Sequence, residues 1–134
     1  MPNPTEEKAI ELAIQYLQKQ GYEVRNVAKG KRRNSEHNGY DLVAQKAGEP
    51  AIKIEVKGCT RPWGIPDPYE TEFKEGRLVA DFLYVVYFLK DEAPKLCIIP
   101  RDAFKSEHLT TKTTYRISSR FENRTSLSRY LIDS

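Results

Sequence analysis

The spacing of apolar residues changes several times along the chain, and each change marks an element. Ile10, Ala13, Ile14 and Leu17 recur at helical spacing, so the first segment predicts an amphipathic helix. Asn3 can cap it, Pro4 suits its first position, Glu6 stands three residues after Asn3 as in a capping box, and Gly21 ends it. Residues 22–27 alternate as a strand does, and residues 28–38 form a polar loop in which Lys29, Lys31, Arg32 and Arg33 cluster. Residues 40–45 and 51–57 are two β-rich runs separated by Lys46-Ala47-Gly48-Glu49-Pro50, which is hairpin chemistry. A helix is predicted over 69–80, followed by an apolar central strand over 82–89, a turn over 91–94 and a returning strand over 96–99. Beyond these the pattern predicts a short helix over 101–108, a short strand over 115–117 and a terminal helix over 126–132. The order α-β-β-β-α-β-β plus a small tail describes an α/β domain, a mixed sheet with helices packed on it.

Composition narrows the class without changing that picture. The 134 residues suit a single domain over 1–134, and a globule of this size buries about two thirds of its unfolded surface. Hydrophobic residues at 39% and charged residues at 31% exclude collagen-like, disordered and membrane-spanning classes. The longest apolar run, 82–89, falls far short of the ~18 residues of a membrane span. The start, Met1-Pro2-Asn3-Pro4-Thr5-Glu6-Glu7, carries neither the basic opening nor the apolar core of a secretory signal, so a cytoplasmic location is expected. Cys59 and Cys97 lack zinc-ligand spacing and are expected as two free thiols. A net charge of +3 permits a polyanionic partner without requiring one.

Candidate chemistry sits on the hairpin. With the turn centred on Gly48, Asp41 and Glu55 lie equally far from it and face one another across the two strands. Strand alternation sends Lys53, Glu55 and Lys57 to one face and Ile52, Ile54 and Val56 to the other. Two opposed carboxylates repel unless a cation or a proton lies between them, and a divalent ion resolves the conflict. Carboxylate oxygens with no His or Cys at ligand spacing suit Mg²⁺ or Mn²⁺ better than zinc. Such an ion polarises a phosphoryl oxygen and acidifies a bound water, and Lys57 would orient that water and offset developing negative charge. The same Lys53-Glu55-Lys57 alternation is also how the solvated face of an ordinary antiparallel strand reads, and a one-residue slip in register would turn Asp41 to the other side.

The run Gly39-Tyr40-Asp41-Leu42-Val43-Ala44, followed by Ile54-Glu55-Val56-Lys57-Gly58, resembles the PD-(D/E)XK nuclease superfamily. It is especially similar to the subgroup typified by the C-terminal domain of the plant protein NO VEIN, over roughly residues 5–105. The resemblance implies a restriction-endonuclease-like three-layer α/β/α fold with a central mixed sheet and core order α-β-β-β-α-β. It implies a Mg²⁺-dependent (or Mn²⁺-dependent) endonuclease acting on DNA, in defence or repair, with Asp41, Glu55 and the carbonyl of Val56 as metal ligands and Lys57 serving the attacking water. A Glu from the first helix completes such sites. Glu7 is the expected residue, since Glu6 is assigned to the cap, and Glu11 is held in reserve. Two departures stand out: Tyr40 replaces the Pro of the superfamily's name, and no further Gln or Glu follows Lys57 closely.

Lys31, Arg32 and Arg33 of the basic loop, with Arg61 beyond the Glu-x-Lys strand, are the expected contacts to nucleic-acid phosphates. Lys29 and His37 lie in the same loop, and Trp63, among three prolines, reads more readily as loop packing than as a stacking platform. Cleavage of both strands of a duplex with one centre per chain favours a homodimer. The alternative reading is a catalytically inactive domain of the same fold that binds nucleic acid or a protein partner, and a third is an unrelated α/β module whose charged hairpin is incidental.

Overall fold

The computed structural model describes residues 4–27, 40–60, 73–74, 77–103, 109–110, 116–117 and 129–132. Helix α1 (Pro4–Lys19) leads into strands β1 (Glu23–Asn26), β2 (Leu42–Gln45) and β3 (Ile52–Cys59). The two-residue strands β4 (Phe73–Lys74) and β5 (Arg77–Leu78) follow, then β6 (Phe82–Tyr87) and β7 (Lys95–Pro100). A 3₁₀ turn at Arg101–Ala103 and the small pair β8 (Leu109–Thr110) and β9 (Arg116–Ile117) close the sequence of elements.

Five strands make one sheet in the order β1-β2-β3-β6-β7. Only the central pair β3 and β6 is parallel, so the sheet is mixed as expected. Helix α1 ends where Gly21 takes a φ of +92°, with Tyr22 N–H donating to the Leu17 carbonyl and Gly21 N–H to that of Gln18, both at 3.0 Å. These two bonds satisfy carbonyls that the last helical turn leaves open. The β2–β3 turn closes with Glu49 N–H donating to the Lys46 carbonyl at 3.1 Å, and Gly48 at φ +82° takes the position where a type II turn demands a positive φ. The resulting register pairs Leu42 with Ile54, Val43 with Lys53 and Ala44 with Ile52, the one expected from a turn centred on Gly48.

The sheet is buried on both sides. Against one face α1 lays Ala9, Ala13 and Leu17 onto Leu42, Ala44, Ile54, Val56, Tyr84 and Val86. On the opposite face Cys59, Leu83, Val85, Tyr87, Cys97 and Ile99 form a second cluster, with Tyr40, Ala103, Tyr130 and Leu131 packed against it. Cys59 and Cys97 form no disulfide, as expected, and both are buried. No helix among the described residues is long and apolar enough to cross a membrane.

Two predicted helices are corrected. Within 69–80 the described residues Phe73–Lys74 and Arg77–Leu78 pair as an antiparallel hairpin. A glycine at position 76 disfavours a helix over this stretch. At the end of the chain, Leu131 bridges Cys97 antiparallel, Ile98 N–H donates to the Tyr130 carbonyl at 3.0 Å and Ile132 N–H to that of Leu96 at 2.9 Å. Residues 129–132 thus cover the edge of β7 rather than coiling, and edge satisfaction outweighs the local pattern. Of the predicted helix over 101–108, Arg101–Ala103 forms a 3₁₀ turn and the remainder lies outside the described residues. Of the predicted strand over 115–117, Arg116–Ile117 is present as β9.

Candidate metal centre

Where β2 begins, the sheet loses a partner for β3, and three carboxylates gather there. The ladder starts at Leu42, one residue after Asp41, whose N–H donates to the Ile54 carbonyl while its own carbonyl accepts from Val27, both at 2.8 Å. The Asp41 backbone is therefore held on two sides. Beyond Ile54, the amides of Val56 and Gly58 lie along the same edge of β3, past the end of β2. The Asp41 carboxylate takes the first, with Oδ2 accepting from Val56 N–H at 3.0 Å, and the Glu6 carboxylate takes the second, with Oε2 accepting from Gly58 N–H at 3.3 Å. Side chains thus do at this edge what a neighbouring strand does elsewhere.

The acidic oxygens of Glu6, Asp41 and Glu55 all lie within 4.8 Å of one another. Helix α1 supplies the first, the start of β2 the second and the middle of β3 the third. Burial makes this grouping unusual: among the described residues the buried charged side chains are Asp41, Glu55 and Lys57, with exposures of 7%, 1% and 6%. A solvated strand face would have left Glu55 and Lys57 in water as Lys53 is, so the ordinary-strand reading fails for those two positions. In the parallel register Glu55 stands beside Leu83 and Lys57 beside Val85, which places both on the face of the second core cluster.

Glu7 and Glu11 are both exposed, and the helix residue in the cluster is Glu6. At about 100° per residue, Glu6 lies within about 20° of Ala13 and Leu17, whereas Glu7 is about 80° or more away from them. The expectation of Glu7 followed the stripe through Ile10 and Ile14, but Ala9, Ala13 and Leu17 are the fully buried line and Ile10 and Ile14 flank it. Small alanines allow the helix to approach the sheet closely at this line. Gly58 permits the same at the helix start, since a Cβ there would stand 2.8 Å from both the carbonyl oxygen and Cγ2 of Thr5. The structure therefore brings Glu6, Asp41 and Glu55 together, sets Val56 and Lys57 on the same strand, and leaves Glu7 outside. Lys31, Arg32, Arg33 and Arg61, with Lys29, His37 and Trp63, lie outside the described residues.

Three carboxylates from three elements, with no sulfur or imidazole in the group, form a hard oxygen donor set that suits Mg²⁺ or Mn²⁺. Like charges brought this close and withdrawn from water need a cation for balance. The residues present fit such an ion.

In sequence comparison, the profile of the family described as Protein NO VEIN, C-terminal, matches residues 5–99. The chain belongs to that family. The match spans α1 and nearly all of the five-stranded sheet, and it includes Glu6, Asp41, Glu55 and Lys57. No curated protein matches the chain in sequence. Among solved structures, the chain is similar to Hjc of Archaeoglobus fulgidus, a Holliday junction resolvase, at 21% identity and a TM-score of 0.50, covering 85% of this chain and 86% of that one. It is also similar to a bacterial homing endonuclease, I-Ssp6803I, at 22% identity and a TM-score of 0.49, covering 78% and 70% respectively. At these identities the likeness concerns the fold alone. The chain has a restriction-endonuclease-like α/β fold.

Proposed function

We propose that the domain is a divalent-metal-dependent nuclease that hydrolyses phosphodiester bonds in DNA. The observation that carries this reading is the convergence of Glu6, Asp41 and Glu55 oxygens within 4.8 Å, beside a strand that presents Lys57 two residues after Glu55. Glu6, Asp41 and Glu55 would hold Mg²⁺ or Mn²⁺, and the carbonyl of Val56 is a further candidate ligand. When bound, the ion supplies Lewis-acid polarisation of a phosphoryl oxygen and a more acidic water.

The chain's own groups do the rest. Asp41 is oriented by the Val56 N–H and Glu6 by the Gly58 N–H, so two of the three acidic side chains are aimed before substrate arrives. Lys57, kept from bulk water, orients the attacking water and offsets the negative charge that develops on the phosphoryl oxygens. Lys31, Arg32, Arg33 and Arg61 are proposed to hold backbone phosphates. A homodimer would supply a second centre for the opposite strand of a duplex.

Incubation with single-stranded, double-stranded and branched DNA, with and without Mg²⁺ or Mn²⁺, tests the reading. Metal-dependent cleavage that disappears in Glu55→Ala and Lys57→Ala is the expected result. Cleavage that persists unchanged in both variants overturns it. Salt-sensitive DNA retardation without cleavage would instead identify a domain that binds and does not cut.

A further inference from the structure

The face of β3 that carries Glu55 and Lys57 also carries Lys53, and Lys53 is the member of the three that remains exposed. Its backbone is fixed on the β6 side, where the Lys53 N–H donates to Asp81 Oδ2 and the Lys53 carbonyl accepts from Asp81 N–H, both at 2.8 Å. Asp81 is gripped in turn by Arg101, whose guanidinium reaches Asp81 Oδ1 at 3.1 Å, the Val79 carbonyl at 2.7 Å and the Ala80 carbonyl at 2.9 Å. The Lys53 side chain therefore leaves from an anchored point. Its ammonium lies 5.1 Å from the centroid of the Tyr40 ring, and Tyr40 is the residue immediately before Asp41. Among the described residues no carboxylate pairs with that ammonium, and the nearby Asp81 carboxylate is already engaged by Arg101 and the Lys53 amide.

Resting on the nuclease reading of this site, we infer that Lys53, steered by the Tyr40 ring, binds the backbone phosphate next to the one cleaved. Residues two apart on a strand face the same way and lie about 6.6 Å apart, so Lys53 flanks Glu55 along the exposed side of the centre. A nucleic-acid strand carries a phosphate about every 3.4 Å of helix axis, which brings the phosphate adjacent to the scissile one within the sweep of a lysine side chain. An exposed ammonium resting on an aromatic ring is confined in direction, yet it can turn to a phosphate without breaking an ion pair. Lysine there acts as a point charge and adds affinity without reading sequence. Tyr40, the departure from the superfamily's Pro, acquires a role as the surface that aims Lys53.

The test is DNA binding by the full chain in a Glu55→Gln background, with a fluorescent duplex and a salt series from about 50 to 200 mM. In the parent, log K falls linearly with log salt. Lys53→Gln should weaken binding several-fold at low salt and reduce the slope by about 0.9, the effect of one lost phosphate contact. Lys53→Arg should restore both, and Tm should stay unchanged because the side chain is exposed. Unchanged affinity and slope in Lys53→Gln, in a parent that binds, overturn the assignment of Lys53 and leave the nuclease reading standing. A wild-type chain that neither binds nor cleaves DNA with Mg²⁺ or Mn²⁺ present overturns both.

Discussion

Val56 and Asp41 are joined by a hydrogen bond of 3.0 Å from the backbone amide of one to the carboxylate of the other, in the interior of the sheet. The bond closes the ladder where β2 begins, and the same carboxylate converges with those of Glu6 and Glu55. One side chain thereby ends a strand pairing and begins a site. This sharing ties the placement of the Asp41 carboxylate to the pairing at the edge of β3.

Glu6→Gln should sharply reduce metal-dependent cleavage, whereas Glu7→Gln should leave it near the wild-type level. The difference follows from rotation about α1, since Glu6 reaches the cluster and Glu7 points to water. Removing one hard ligand from a three-carboxylate set lowers metal affinity, so raising Mn²⁺ should recover part of the Glu6→Gln activity. Cleavage rates against Mn²⁺ concentration for the two variants check both statements.

Divalent metal should stabilise the native chain, because the clustered carboxylates repel without it and an unfolded chain does not assemble the set. At a free Mg²⁺ or Mn²⁺ concentration about 100 times Kd the expected gain is about 2.7 kcal/mol. Thermal unfolding with metal and with EDTA measures the shift. In Glu55→Gln the shift should largely vanish, while the metal-free protein should be no less stable than wild type in EDTA.

Gly58→Ala should act on the site through the fold. The added methyl would stand 2.8 Å from the Thr5 carbonyl oxygen, and backbone cannot move aside as a flexible side-chain tip can. The start of α1 must then lift from β3, which lengthens the Glu6 contact to the Gly58 amide. A cost of about 1–3 kcal/mol is expected from overpacking of this kind. Urea unfolding should report it, and metal affinity should fall although no ligand has been removed.

Alkaline pH should destabilise the fold in part through Cys97. Burial pushes its thiol up to about 12 from the ordinary 9.0, so the native state keeps a proton that the unfolded chain releases. The folded value is the raised one, so this contribution is intact below pH 9 and is lost as pH rises toward about 12. The loss amounts to about 1.4 kcal/mol per pH unit for one proton. Tyr84, whose hydroxyl burial also pushes up, acts in the same direction at higher pH. Urea midpoints between pH 8 and 10.5 should fall less steeply in Cys97→Ala than in wild type.

Much of the molecule was legible where the signals are local. Gly21 as a helix stop, Gly48 as the hinge of the hairpin and the continuous apolar run of β6 each depend on a few neighbouring residues, and the structure keeps all three. Since Gly48 sets the hairpin register, the meeting of Asp41 and Glu55 was legible as well. Side-chain pattern failed where a segment's conformation is set by what it lies against. Tyr130, Leu131 and Ile132 are apolar enough to suit a helix, yet the edge of β7 draws this segment into backbone pairing with Leu96, Cys97 and Ile98. The choice between Glu6 and Glu7 had the same character. Sequence establishes that α1 has an apolar stripe with glutamates beside it, but the rotation of the helix on the sheet depends on how closely Ala9, Ala13 and Gly58 let the two surfaces approach. Periodicity is a property of one segment, whereas approach distance belongs to two, and it is the second that selects Glu6 as the third carboxylate.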